Sequence, residues 1–181
     1  GFLRGSCAQT REAEVVDIDE DAYREGRVNT RLFGYLQVPY ERRFLQNSKA
    51  PSPLSERSQQ VNMAWEMIDR LKDDTYYLVG PGSTTRTFME ILGLPNTLIG
   101  VDLICNKKLV ASDLGEADIL RYMAEKETHL IITPTGGQGF LLGRGNQQLS
   151  AKVVGQLGMK KIHILATREK LFNFHNAPLL V

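Results

Sequence analysis

Along this chain, short runs of β-branched and aromatic residues alternate with amphipathic stretches, and the alternation predicts the elements. Residues 13–18 (Ala-Glu-Val-Val-Asp-Ile) and 27–38 read as a pair of strands, with the acidic segment Asp19–Gly26 turning the chain between them. Residues 46–55 are polar, hold two prolines and offer little to bury, so they read as a linker. Ser52 or Ser55 can cap the helix that follows, in which Val61, Ala64, Trp65, Ile68 and Leu71 recur at helical spacing. That spacing gives the helix one apolar face and places Trp65 in the core.

From residue 75 the period changes to brief apolar runs separated by helical stretches. Thr75–Val79 predicts a strand, Gly80–Ser83 a tight loop, Thr84–Leu92 a helix closed by Gly93, and Thr97–Ile104 the next strand. Asn106-Lys107-Lys108 turns into the short run Leu109-Val110. Gly115–Ala124 is helical, and His129–Thr133 has the almost wholly apolar character of a strand buried on both faces. After a glycine-rich segment at 134–148 come a helix over Leu149–Leu157 ended by Gly158, a strand over Lys161–Ala166 and a short helix near Arg168–Phe174. Strand and helix alternating in this way predict an α/β fold: an open, mostly parallel sheet with helices on both faces. The expected organisation is a β-rich extension at 1–45 belonging to a larger N-terminal part, the linker 46–55, and an α/β nucleotide- or phosphate-binding domain at 56–181.

Composition narrows the function classes. Twenty-two Lys and Arg against twenty-one Asp and Glu leave a formal charge of +1 over 181 residues, no field to draw nucleic acid or anionic lipid. No apolar run is long enough to cross a membrane as a helix, and the start lacks the pattern of a signal peptide, so a cytoplasmic location is expected. Cys7 and Cys105 lie far apart without metal-ligand spacing and read as plain thiols. The chain opens without Met and stops on the apolar run Pro178-Leu179-Leu180-Val181, as a fragment of a longer protein would.

Two glycine-rich segments fall beyond the carboxyl ends of predicted strands, where open α/β sheets bind ligands. In the first, Gly80, Gly82, Ser83, Thr84, Thr85 and Arg86 lead from strand into helix, so free backbone N–H groups, hydroxyls and a guanidinium can face an anion. The sequence is neither the Rossmann GxGxxG nor a Walker motif with its Lys, and a turn-and-cap role is the competing reading. In the second, Thr135, Gly136, Gly137, Gln138 and Gly139, followed by Arg144, Asn146 and Gln147, combine close-approach glycines with donors suited to phosphate, ribose or a base edge. The competing reading is a surface loop. Asp17, Asp19, Glu20 and Asp21 carry the oxygens Mg²⁺ prefers, but such a run is ordinarily a solvated turn, and no metal ligands are assigned. His129, His163 and His175 have no ligand spacing and read as core or rim residues.

Taken together, Gly80-Pro81-Gly82-Ser83-Thr84-Thr85-Arg86, Leu98-Ile99-Gly100-Val101-Asp102, Gly136-Gly137-Gln138-Gly139-Phe140 and Gly143-Arg144-Gly145-Asn146-Gln147-Gln148 resemble the ATP-NAD kinase-like family, which includes the acetoin-catabolism X proteins. Glu14–Glu20 and Leu32-Phe33-Gly34-Tyr35-Leu36 extend the resemblance over nearly the whole chain. The resemblance implies a phosphotransferase that uses ATP or another phosphate donor, NAD as acceptor, and Mg²⁺. It also implies a Gly-Gly-Asp-Gly motif supplying the catalytic Asp. No such motif occurs here, so the chain corresponds to the portion downstream of it, supplies nucleotide or acceptor contacts, and is expected to be inactive alone. Thr133-Pro134-Thr135-Gly136 is similar to the start of a Thr-Pro-Thr-Gly-Ser-Thr-Ala-Tyr segment of NAD kinases, whereas Gly137-Gln138-Gly139-Phe140 departs from it, leaving the acceptor open. A module binding a sugar phosphate or dinucleotide without catalysis is the alternative, and a homo-oligomer interface a third reading.

Overall fold

In the computed structural model, residues 10–18, 30–39, 53–134, 141–143 and 145–173 are described. The chain forms two compact units, residues 1–50 and 51–181. In the first, strands β1 (Thr10–Ile18) and β2 (Thr30–Pro39) form an antiparallel ladder that sets Thr10 opposite Pro39 and Ile18 opposite Thr30. Val15 faces Gly34 and Val16 faces Leu32, so Phe33 is the extra residue of a bulge, where Gly34 takes a φ of +149°. The predicted strand pair is therefore present; the acidic turn between the strands lies outside the described residues.

The second unit is built around a strand with two faces to bury. Helix α1 (Pro53–Asp69) leads to β3 (Tyr76–Val79), in which all four residues are buried, Tyr76 and Leu78 toward one layer and Tyr77 and Val79 toward the other. The remaining elements are α2 (Ser83–Ile91), β4 (Asp102–Cys105), β5 (Lys108–Ala111), α3 (Glu116–Glu125), β6 (Thr128–Ile132), α4 (Ala151–Leu157), β7 (Ile162–Ile164) and α5 (Arg168–Asn173). The sheet runs β5-β4-β3-β6-β7. β6 pairs parallel with both β3 and β7, whereas β4 is antiparallel to both of its neighbours, so four strands share one direction and β4 alone opposes it.

Helices cover both faces. Ala64, Met67 and Ile68 of α1 and Phe88 and Met89 of α2 pack on Tyr77, Val79, Ile104 and Ile131. Ile119 of α3 and Val153 and Leu157 of α4 pack with Tyr76, Leu78, Leu103, Leu130 and Ile132 on the other side. The α/β class with helices on both faces is thus observed. Two local expectations are corrected. Trp65 is 53% exposed, because the buried stripe of α1 runs through Gln60, Ala64, Met67 and Ile68, and Trp65 lies beyond its margin. The fourth strand begins at Asp102 rather than Thr97, since the buried Asp102 carboxylate accepts from Thr97 N (2.7 Å), Thr97 Oγ1 (2.6 Å) and Asp113 N (3.0 Å) and holds residues 97–101 as a loop.

Candidate functional site

The strand order locates the crevice. From β3 the chain leaves through α2 on one face toward β4, and from β6 it leaves through α4 on the opposite face toward β7. Between β3 and β6 the two departures diverge, and an open α/β sheet places its ligand crevice at the carboxyl ends of such a strand pair. Gly80–Gly82 follows β3 there and Thr133 follows β6.

The turn is fitted closely to the neighbouring strand. Gly80 N donates to Ile131 O at 2.9 Å, continuing the β3–β6 ladder by one residue. Gly82 has a φ of +134°, and a Cβ placed on it would stand 2.2 Å from Thr133 Cγ2, so only glycine fits. The first bond of α2 runs from Arg86 N to Gly82 O at 2.9 Å, and Thr85 Oγ1 donates to the same carbonyl at 3.0 Å. Among the described residues the backbone N–H groups of Ser83, Thr84 and Thr85 have no acceptor, and no side chain caps them. They form the electropositive first turn of a nine-residue helix.

A cation joins this turn from the predicted short helix near Arg168–Phe174, to which sequence reasoning assigned no part in the site. Lys170, on α5, donates from Nζ to Thr133 Oγ1 (2.8 Å) and Thr84 Oγ1 (3.2 Å). Both threonines are buried. Burial lowers the Lys170 pKa below that of free lysine, an effect opposed in part by the Glu56 charge. The available signal was position: Lys170 lies just past the carboxyl end of β7, beside the ends of β3 and β6.

Other predicted residues have different surroundings. Arg86 points along α2 to Glu90 (Nε to Oε1 2.9 Å), which also accepts from Arg57 Nη2 at 2.7 Å; these guanidinium hydrogen bonds, Arg57 first, outweigh burial and lower the Glu90 pKa. Asn146 is buried and spends its side chain on its own loop, accepting from Gly143 N at 2.7 Å and donating to Leu141 O at 2.9 Å. Gln147 is exposed. Thr135, Gly136, Gly137, Gln138, Gly139 and Arg144 lie outside the described residues, as do Cys7 and His175.

Mg²⁺ would need several hard oxygens, and among the described residues no group of three or more His, Cys, Asp or Glu could hold a metal ion. Asp102 has its oxygens committed to Thr97 and Asp113. Cys105 is a buried free thiol. The histidines occupy the face toward α1: His129 Nδ1 and His163 Nε2 are 2.9 Å apart in stacked rings, and His129 Nε2 lies 3.3 Å from Glu127 Oε1. The pairing of the two rings is the part the sequence did not signal. Among the described residues no helix is long and apolar enough to cross a membrane.

Among the described residues, the donors gathered where these two parallel strands end suit the binding of an oxyanion. Comparison with known proteins gives the same region a family. No curated protein and no solved structure matches the chain. The model of the ATP-NAD kinase C-terminal domain matches residues 72–174, from just before β3 to the end of α5 and more than half of the 181 residues. The chain belongs to the ATP-NAD kinase C-terminal domain family.

Proposed function

We propose that residues 72–174 form the nucleotide-contacting portion of an NAD kinase-like phosphotransferase, with the Gly80–Thr85 turn receiving the phosphate groups of ATP or NAD. The observation that carries the reading is the turn itself: unaccepted N–H groups at the start of α2, glycines that admit a ligand to the backbone, and the Lys170 ammonium beside them. Phosphoryl transfer depends mainly on positioning and charge neutralisation, and such groups supply both without a covalent nucleophile. The second glycine-rich segment, Thr135–Gly139 with Arg144, remains in the proposal as the acceptor side on its composition. Asn146 supports it indirectly by fixing the turn at 141–146.

The Gly-Gly-Asp-Gly motif that supplies the catalytic Asp in the family does not occur in this sequence, so the proposal assigns the chain alone binding and no catalysis. Calorimetric titration of the 181-residue chain with ATP, NAD, NADP and ribose 5-phosphate tests this. Binding of ATP or NAD without formation of NADP from the two is the expected result. Binding of ribose 5-phosphate alone would replace the proposal with a sugar-phosphate module, and NADP formation would refute the assignment of catalysis to residues outside the chain.

A further inference from the structure

We propose that Lys170 is the charge-bearing ligand for the nucleotide's phosphate chain, its ammonium passing from the Thr84 and Thr133 hydroxyls to a phosphoryl oxygen. The inference rests on reading the Gly80–Thr85 turn as a phosphate site and adds a residue that neither glycine-rich segment contains.

Several cations of the same unit meet carboxylates: Arg57 and Arg86 share Glu90, Arg70 reaches Glu66, Arg121 Asp118, and Lys126 Asp74. Lys170 is partly buried and donates to two neutral hydroxyls; the Glu56 charge acts on it from a distance, and no carboxylate of a described residue forms an ion pair with it. Withdrawing an ammonium from water without an anion in contact is unfavourable, and a bound anion would offset the cost.

Donor arithmetic then selects the anion. An ammonium has three N–H donors, and Lys170 spends two on Thr84 and Thr133. Those hydroxyl oxygens accept from it, and among the described residues neither hydroxyl proton has an acceptor. The N–H groups of the first turn of α2 are unspent as well. A site rich in donors and without acceptors suits a group whose several oxygens only accept, as a phosphoryl group does. Lys170 is also held in place beforehand. Thr167 Oγ1 accepts from Lys170 N at 3.3 Å, and Gln59 Oε1 of α1 accepts from Arg168 N at 3.1 Å, which ties the start of α5 to α1.

The test uses the 181-residue chain, with tripolyphosphate and ATP as probes. Lys170→Met is expected to weaken both at least tenfold, and Lys170→Arg to restore part of the loss. In wild-type protein carrying ¹³C-methylated lysines, the Lys170 resonance is expected to shift with either probe. Shifts and losses confined to ATP would place Lys170 on another part of the nucleotide and overturn the inference. Tripolyphosphate binding to Lys170→Met within twofold of wild type would overturn it too, while leaving the turn as a phosphate site. A chain that binds neither probe at millimolar concentration overturns both readings. If the Met variant does not fold, the wild-type resonance decides: unmoved by saturating tripolyphosphate, it refutes the role.

Discussion

Gly82 and Thr133 meet where the ends of β3 and β6 open, and the fit between them sets the shape of the turn. Alanine at 82 would need both a left-handed backbone and the space filled by Thr133 Cγ2. Gly82→Ala is therefore expected to destabilise the fold by about 2 kcal/mol or more, read from urea unfolding. The need for glycine here was legible, since a strand running straight into a helix leaves few alternatives. The role of Asn146 was not: its amide reads as a ligand donor until the positions of Leu141 and Gly143 are known. The His129–His163 contact carries a second expectation. Ionised Glu127 accepts from His129 Nε2–H, which leaves Nδ1 to accept from His163 Nε2–H. Burial, then the charges of His129, Arg70 and Lys72, lower the His163 pKa, so the unfolded chain binds that proton more readily. This contribution to stability is present above the unfolded value of about 6.5 and is lost as pH falls through the lower folded value. Unfolding midpoints taken from pH 7 to pH 5 should fall, and His163→Gln should flatten that part of the profile.

Among the elements, α2 follows its sequence closely. Leu94 N bonds to Met89 O and Gly93 N to Glu90 O, both at 3.0 Å, with Gly93 at a φ of +69°, so the glycine that punctuates the sequence ends the helix by a Schellman motif. Likewise, Ser150 caps α4 and Gly158, at a φ of +73°, closes it. The β4 boundary escaped notice because Thr97–Val101 is apolar enough for a strand, and only the tertiary position of Asp102 shows it to be a loop. Trp65 was misplaced for a related reason, as helical spacing gives a stripe but not its margins. One amide ties Leu141 and Gly143 to Asn146. Asn146→Ala would leave the buried Leu141 carbonyl without its partner and free Gly143 N, at a cost of about 2 kcal/mol. Unfolding in denaturant checks the value, and a loss below about 0.5 kcal/mol would mean the loop re-forms without the side chain.

For the whole molecule, alternating strands and helices were enough to give the α/β class, because two apolar faces on a short strand require layers on both sides. Strand direction was not legible in the same way, since a run such as Asp102–Cys105 can be buried whichever way it points. Of the proposed site, the Gly80–Thr85 turn is recognisable in the sequence as a glycine-rich strand-to-helix passage, whereas the contacts of Lys170 with Thr84 and Thr133 are not, because these residues are distant along the chain. The reversed strand also has a kinetic consequence. β3, β4 and β5 follow one another along the chain and pair in that order, so this half of the sheet closes over shorter connections than the β3–β6 pair does. The β3–β6 pairing must wait for α3 and the β4–β5 hairpin to be passed. Folding is expected to begin in residues 76–111 and to add β6 and β7 after the main barrier. Stopped-flow measurements with two matched deletions would read this order. Ile104→Val, in β4, should mainly slow refolding, whereas Ile132→Val, in β6, should mainly hasten unfolding, so that the crevice between β3 and β6, where the nucleotide is proposed to bind, is the last part of the sheet to form and the first to open.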